Sequence, residues 1–165
     1  MNAMAAWSTF FATEAGAAAA LAGLIFVSVS INIKKIIEYQ SEGVAGRAAE
    51  ALALLIGILL ISTFGLAPNQ SGKVLGVEIL AVGILLWLMA TVLLVRRLGV
   101  KRRRPWWWLA SRSILSQCAA LPFCFAGILL ALGHAEGMYW LIPGCVFSFL
   151  ASTISAWVLL IEILR

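Results

Sequence analysis

The sequence lacks the groups from which most enzyme active sites are built. It contains no aspartate, and its single histidine, His134, lies in a polar stretch between two apolar runs. A serine hydrolase needs a nucleophile beside a base, and a metalloprotease needs a ligand pair such as HExxH. Neither pattern is present, and no glycine-rich loop has the strand-to-helix context of a nucleotide site. We therefore expect no enzymatic activity, no catalytic residue and no cofactor.

Cysteine and charge are also scarce. The 3 cysteines fall in apolar runs and form no CxxC or Cys/His set, so we expect neither a disulfide nor a metal site. Charged residues make up 12% of the chain, whereas globular domains contain about 25%. Hydrophobic residues make up 63%, and the mean hydropathy is +1.04. This composition excludes an ordinary soluble domain and indicates a membrane protein.

Five long apolar runs predict an all-α fold, a single domain of five transmembrane helices. Each run is long enough to cross a bilayer core of about 30 Å at about 1.5 Å per residue. Short polar stretches typical of turns, such as Pro68–Gly72 and Gly133–Gly137, separate them. The predicted spans are 10–33, 48–67, 74–95, 113–132 and 138–164.

The distribution of lysine and arginine predicts the orientation. An outside N-terminus leaves Lys73 as the only cation outside and places the other cations on the cytoplasmic side, together with the C-terminus. Cytoplasmic loops are enriched in these residues, so the pattern favours N-terminus out and C-terminus in. No cation precedes Lys34, which argues against a cleaved signal peptide and for a retained first span.

A cationic cluster precedes three tryptophans, Trp106 to Trp108, in the third connection. The pattern is typical of a segment that binds anionic headgroups on the cytoplasmic side. Lipid binding and orientation explain the cluster fully, so we expect no nucleic-acid partner, although nucleic acid or an acidic protein tail is the alternative. The residues are Lys101, Arg102, Arg103 and Arg104.

Two glutamates within apolar runs, Glu14 and Glu78, are candidates for an ion pathway. A charge at the bilayer centre costs at least about 2.5–3.5 kcal/mol, so such residues are usually kept for a reason. Each lies about 6 Å inside the predicted start of its span. The two carboxylates can converge on one outward-facing cation or proton site. Alternatively, each reaches the headgroups or accepts a hydrogen bond from a neighbouring helix.

A second charged set lies at the predicted inner boundary. Arg47 with Glu50 and Glu162 with Arg165 have i,i+3 spacing, so each pair can neutralise itself on one helix. Structural pairing is the favoured interpretation, and gating of a cytoplasmic opening is the alternative. The predicted inner charge network consists of Arg47, Glu50, Arg112 and Glu162.

Small residues recur at helical spacing in the first and fifth spans and predict close helix contacts, within the fold or between subunits. In the fifth span Cys145 and the serines follow one another at steps of three, four and three and form a weakly polar stripe. The stripe is either packing surface or pore lining, and packing is favoured because hydroxyls can bond to their own helix. The predicted packing residues are Gly16, Ala20, Gly23, Ser148, Ser152 and Ser155.

The segment FFATEAGAAAALAGLIFVSVSIN, residues 10–32, followed by GRAAE, residues 46–50, resembles a family of small uncharacterised bacterial multi-pass membrane proteins. Some of its members are labelled modulator of a membrane AAA protease. The resemblance covers the first two spans and implies the inner membrane of a bacterial cell, with no defined activity.

Two functions follow as hypotheses. The first is a homo-oligomeric ion channel or simple transporter that passes cations or protons past Glu14 and Glu78. The second is a structural or regulatory subunit that docks on another membrane protein. The shared depth of the two carboxylates and the small helix faces slightly favour the first.

Overall fold

The structure is a computed structural model that describes residues 3–31, 33, 44–98 and 106–164, with side chains described for 7–31, 33, 46–95 and 114–157. This part of the chain is helical and contains no strand, and 5 of its helices are long and apolar enough to cross a membrane. The prediction of an all-α fold with five helices long and apolar enough to span a membrane is therefore confirmed. The helices are α1 (Ala3–Ile31), α2 (Val44–Gly65), α3 (Gly72–Leu98), α4 (Trp106–Ala131) and α5 (Leu141–Leu164).

Four of the helices, α1 to α4, begin before the predicted start of their apolar run. α1 begins at Ala3 instead of residue 10, and α4 begins at Trp106 instead of residue 113. Before α5 the chain forms a 3-10 helix, Ala135–Trp140, where the sequence predicted a turn followed by the start of the span. Apolar run length identifies the part of a helix that lies in lipid, and a helix can continue beyond it into the headgroup region.

Two short turns lie at one end of the bundle, called here the turn end. In the first, Asn69 has a φ of 57°, and the Ser71 hydroxyl accepts the Val74 N–H at 3.3 Å where α3 starts. The second turn follows the end of α4 and contains Gly133, whose φ of 94° is readily adopted by glycine. There the His134 N–H donates to the Leu129 carbonyl at 2.9 Å. α2 and α4 begin at the opposite end, called the Arg47 end.

The closest helix contact joins α3 and α4, which form an antiparallel hairpin. Glycines allow the two backbones to approach: a Cβ at Gly83 would lie 2.9 Å from the Cys124 nitrogen, and one at Gly127 would lie 2.5 Å from the Leu80 nitrogen. A Cβ at Gly76 would overlap with the backbone of Ala131. These three glycines define the glycine seam, which holds the hairpin together by close van der Waals contact.

The core fills the space between the hairpin and the other helices. α2 packs against α1, α3 and α5, and α5 also packs against α4. α1 lies at the edge of the bundle, since 11% of its spanning window is buried against 50% for α2. The largest fully buried apolar side chains are Phe11, Leu55, Ile58, Ile61, Leu75, Ile79, Phe123 and Leu141.

Candidate functional site

Glu14 faces the interior of the bundle from α1. Phe11, Ala18 and Ile25, seven residues apart, are the buried positions of this helix, and Glu14 lies on the same side. The thiol of Cys145 on α5 donates a hydrogen bond to the Glu14 carboxylate. The second carboxylate oxygen, Oε2, is buried and has no hydrogen-bond partner. A half-buried carboxylate thus lies between α1 and α5, within the membrane-spanning part of both helices.

The small polar residues of α5 continue from Cys145 toward the Arg47 end. Cys145, Ser148 and Ser152 are buried, and Ser155 is half-buried. The Ser152 hydroxyl donates to the Ala51 carbonyl on α2 at 3.2 Å. The Ser148 side chain is 0% exposed, and its hydroxyl has no partner. Ser148 and Ser152 thus lie in helix contacts, although their bonding differs from the expected bonding to their own helix.

Arg47 and Glu50 bring two opposite charges into the interior at the other end of α2. They are 4% and 6% exposed, and their i,i+3 spacing places them on neighbouring positions of one helix. The Ser116 hydroxyl on α4 donates to Glu50 Oε1. Burial of an ion pair is costly unless hydrogen bonds compensate the lost water, so the Ser116 contact helps to keep Glu50 inside. The other two members of the predicted network, Arg112 and Glu162, have side chains outside the described part of the structure.

These groups lie in three successive helix contacts: α1 with α5 at Glu14, α5 with α2 at Ser152, and α2 with α4 at Glu50. From Cys145 to Ser152 is about 10 Å along the helix axis, at about 1.5 Å per residue. Ala51, the acceptor of the Ser152 hydroxyl, follows Glu50 directly and lies one helical turn from Arg47. We call this set the polar file; its members are Glu14, Cys145, Ser148, Ser152, Arg47 and Glu50.

Glu78 lies apart from the polar file. The Gln70 side-chain amide, in the turn between α2 and α3, donates to Glu78 Oε2. Glu14 has its partner on α5 instead, and among the described residues no hydrogen bond joins the two carboxylates. The structure therefore does not bring Glu14 and Glu78 together by any direct contact. Glu78 accepts a hydrogen bond from the turn before its own helix, whereas the alternative interpretation expected a donor on a neighbouring helix.

A smaller polar contact joins α3 and α4 beside the glycine seam. The Gln117 amide donates to the Thr91 hydroxyl at 3.4 Å, and that hydroxyl donates to the Trp87 carbonyl of its own helix at 2.8 Å. The Gln117 carbonyl oxygen is buried without a partner. Among the described hydrogen bonds, none continues this contact toward the turn end. We therefore interpret it as a hydrogen bond that joins two helices and not as part of a pathway.

Two cavities lie between the helices and turns described above. One of about 380 Å³ lies at the turn end, between the start of α1 and the two turns; Trp7, Lys73 and His134 line it. The other, of about 190 Å³, lies between α1, α2 and α5, where Ile25, Leu55 and Ser152 line it. The second cavity is apolar apart from its serine and threonine hydroxyls, and it brings open space to one member of the polar file.

The small residues of α1 point away from the bundle. Gly16, Ala20 and Gly23 are exposed, and a Cβ at either glycine would meet no atom within 4 Å. Within the described chain this face therefore forms no helix contact, which removes one of the two interpretations of its small residues. The other interpretation, a contact between subunits, stays a prediction.

Sequence reasoning found the individual members of the polar file but missed its continuity. The sequence singles out Glu14 and Glu50 and places Cys145 on one weakly polar stripe with the serines of the fifth span. It does not indicate that α1 and α2 flank α5, and that arrangement brings the stripe next to Glu14 and Ala51. Lys101 to Arg104 lie outside the described residues.

The available donors do not suggest a metal centre. Among the described residues there is no group of three or more His, Cys, Asp or Glu side chains placed to hold a metal ion. Comparison with protein-family models, with curated proteins and with solved structures gave no match to this chain. The functional interpretation therefore rests on the geometry of the polar file.

Proposed function

We propose that this chain is a small multi-pass membrane protein that conducts protons across the bilayer along the polar file. The observation that carries the proposal is the polar file itself, in which half-buried Glu14 is followed by buried polar groups in successive helix contacts as far as Glu50. Polar and ionisable residues within membrane helices are costly and usually mark ion or proton pathways. The α3–α4 contact packs closely through glycines and contains no charged side chain among its described hydrogen bonds, so close packing in this chain does not require buried charges.

The chemistry of the file suits protons better than metal cations. Hydroxyl groups both donate and accept hydrogen bonds, so each can take up one proton on one side while it releases another on the other. A permeating metal cation needs several oxygen ligands at once, whereas each level of the file offers only one or two. Carboxylates near the two ends, Glu14 and Glu50, supply groups that exchange protons with water.

The direction of the pathway follows from the charge distribution of the chain. We propose that the turn end faces the outside of a bacterial inner membrane and the Arg47 end faces the cytoplasm, because eleven of the 12 cations then lie on the cytoplasmic side. The cluster Lys101–Arg104 then binds anionic lipid headgroups.

Cysteine labelling tests this orientation. A cysteine introduced at Arg102 should react with a membrane-impermeant reagent only after the cytoplasmic side is opened, and one at Lys73 should react in intact cells. The native cysteines are first replaced by alanine or serine to remove background. Labelling of position 102 from the outside in intact cells contradicts the proposed orientation.

Proton flux tests the proposed function. Purified protein in liposomes with an internal pH dye and an imposed potential should acidify the lumen faster than empty liposomes do. Glu14→Gln should lower the flux at least about tenfold, because the amide keeps the shape of the side chain but cannot exchange its proton. Glu78→Gln is the matched control; its carboxylate lies outside the polar file and should leave the flux unchanged.

Glu50→Gln tests the other end of the polar file in the same flux assay. It should also lower the flux, but it leaves Arg47 with less compensating charge, so its fold is checked first by gel filtration and thermal unfolding. A wild-type protein that conducts nothing above empty liposomes rules out the conduction proposal. Equal loss in Glu14→Gln and Glu78→Gln contradicts the polar file as the pathway.

A second function, a regulatory subunit that docks on another membrane protein, is supported by a different observation. α1 is the least buried of the spans, and its small residues Gly16 and Gly23 face outward with open space around them. A second copy of this chain or a helix of another protein can approach such a face closely. The homo-oligomer expected from the sequence uses this same face.

A further inference from the structure

Two buried polar atoms in the polar file have unused hydrogen-bonding capacity. Glu14 Oε2 accepts no hydrogen bond, and the Ser148 hydroxyl neither donates nor accepts one. Ser148 is 0% exposed, so bulk water cannot reach its hydroxyl from the surface. A buried polar group that stays unpaired lowers stability, and such groups in membrane interiors are normally satisfied by protein or by ordered water.

Both atoms adjoin the same residue. Glu14 accepts the hydrogen bond of the Cys145 thiol, and Ser148 lies one helical turn from Cys145 on α5. Side chains with this i,i+3 spacing lie about 5–6 Å apart at their Cβ atoms. One helical turn therefore separates Ser148 from the contact between Cys145 and Glu14, a spacing that one bridging molecule of water size can span.

The chemistry of the two atoms selects the bridging molecule. A carboxylate oxygen needs a donor, and a hydroxyl group can either donate or accept, so a ligand with two donors and two acceptor sites satisfies both. We propose that a water molecule binds between Glu14 Oε2 and the Ser148 hydroxyl. This water fills the break in the file between Cys145 and Ser152; its role in proton conduction rests on the proposed function, whereas its binding does not.

A metal cation is the less suitable ligand. Alkali and alkaline-earth cations prefer several oxygen ligands, whereas the site supplies a carboxylate and one hydroxyl beside a thiol. The backbone carbonyls of α1 and α5 are engaged in helix hydrogen bonds.

The sign of the stability change in Ser148→Ala tests the water site. If the hydroxyl holds a bridging water, its removal destabilises the protein, and the unfolding constant in mixed micelles should rise about threefold or more. If the hydroxyl is unpaired, its removal relieves a buried polar group and stabilises the protein; if it bonds to its own helix, stability hardly changes. A decrease or no change in the unfolding constant overturns the proposal.

Infrared spectroscopy supplies the direct readout. The wild type should show a water O–H stretching band that moves when H₂¹⁸O replaces H₂¹⁶O. Ser148→Ala should remove or shift this band. The matched control, Ser152→Ala, deletes a hydroxyl from the same helix that already has a protein partner, and it should leave the band unchanged. A band that is absent from the wild type or identical in Ser148→Ala contradicts the water site.

Two further outcomes separate the explanations. A wild-type stability that rises in sodium relative to choline chloride indicates a cation at this place and overturns the water. The infrared band is measured independently of proton flux, so the two measurements distinguish the two proposals. A wild type that shows the band but conducts no protons contradicts the proposed function alone. Flux in a wild type that lacks the band contradicts the water site alone.

Discussion

The glycine seam and the polar file are two sets of helix contacts within one bundle. The first is formed by glycines and the second by polar side chains. In the glycine seam, Gly76, Gly83 and Gly127 let two backbones touch, and the Thr91–Gln117 hydrogen bond lies beside them. In the polar file, carboxylate, thiol and hydroxyl groups lie between α1, α2 and α5. Lipid removes the hydrophobic gain of helix association, so close packing and buried polar contacts are the two remaining ways to join helices. The comparison separates a contact that holds the fold from one that, in the proposed function, also conducts protons.

The largest effect is expected at the charged end of the polar file. Arg47→Met leaves the Glu50 carboxylate in the interior with its Ser116 contact but without the neighbouring positive charge. Loss of one partner of a buried pair costs about 3–5 kcal/mol. Unfolding in mixed micelles should therefore shift strongly toward the unfolded state, while Lys73→Met, at an exposed cation of the turn end, should stay close to the wild type.

A double variant sharpens this test. Arg47→Met with Glu50→Gln removes both charges and should recover much of the lost stability, because no uncompensated charge remains. If the double variant is as unstable as the sum of the two single variants, Arg47 stabilises the fold through other contacts. The polar file then contains one charged group fewer than proposed.

The next largest effect is expected in the glycine seam. Gly127→Leu would drive a side chain into the backbone at Leu80 and separate α3 from α4. Overpacking of this kind typically costs about 1–3 kcal/mol, and more where backbone must move. The variant should unfold at a lower temperature, and any loss of proton flux should parallel the loss of folded protein. Reduced flux in fully folded Gly127→Leu contradicts the separation of the two contacts.

Much of the fold was predictable from the sequence, because lipid leaves the backbone few choices. A run of about twenty apolar residues must form a helix to satisfy its own hydrogen bonds, so five runs predict five spans. The neighbours of each helix were not predictable in this way. A helix that is apolar on all sides has no face that identifies its partner, and the contact of Glu14 with Cys145 depends on that partner.

The small residues illustrate the same limit. α1 is rich in alanine and glycine, yet Gly16 and Gly23 face outward, while the contact between α3 and α4 uses Gly76 and Gly83. Small residues at helical spacing indicate that another helix can approach the backbone closely. They do not identify which helix it is. The seven-residue step from Gly76 to Gly83, which places both on one face of α3, was the signal that could have indicated the glycine seam.

The smallest effect on the folded chain is expected on the outer face of α1, which has neither glycine contacts nor polar contacts. A Cβ at Gly16 meets no atom within 4 Å, so Gly16→Leu should leave the stability of the monomer nearly unchanged.

If the outer face of α1 is the surface between subunits, the leucine separates the two helices and lowers the dimer fraction in mild detergent. Crosslinking and analytical ultracentrifugation of wild type and Gly16→Leu, with Val27→Leu on an exposed bulky position as the control, measure this fraction. A dimer in wild type that is lost only in Gly16→Leu supports assembly through this face. Equal assembly in all three proteins indicates that lipid covers Gly16, and the small residues of α1 then serve neither of the two contacts compared above.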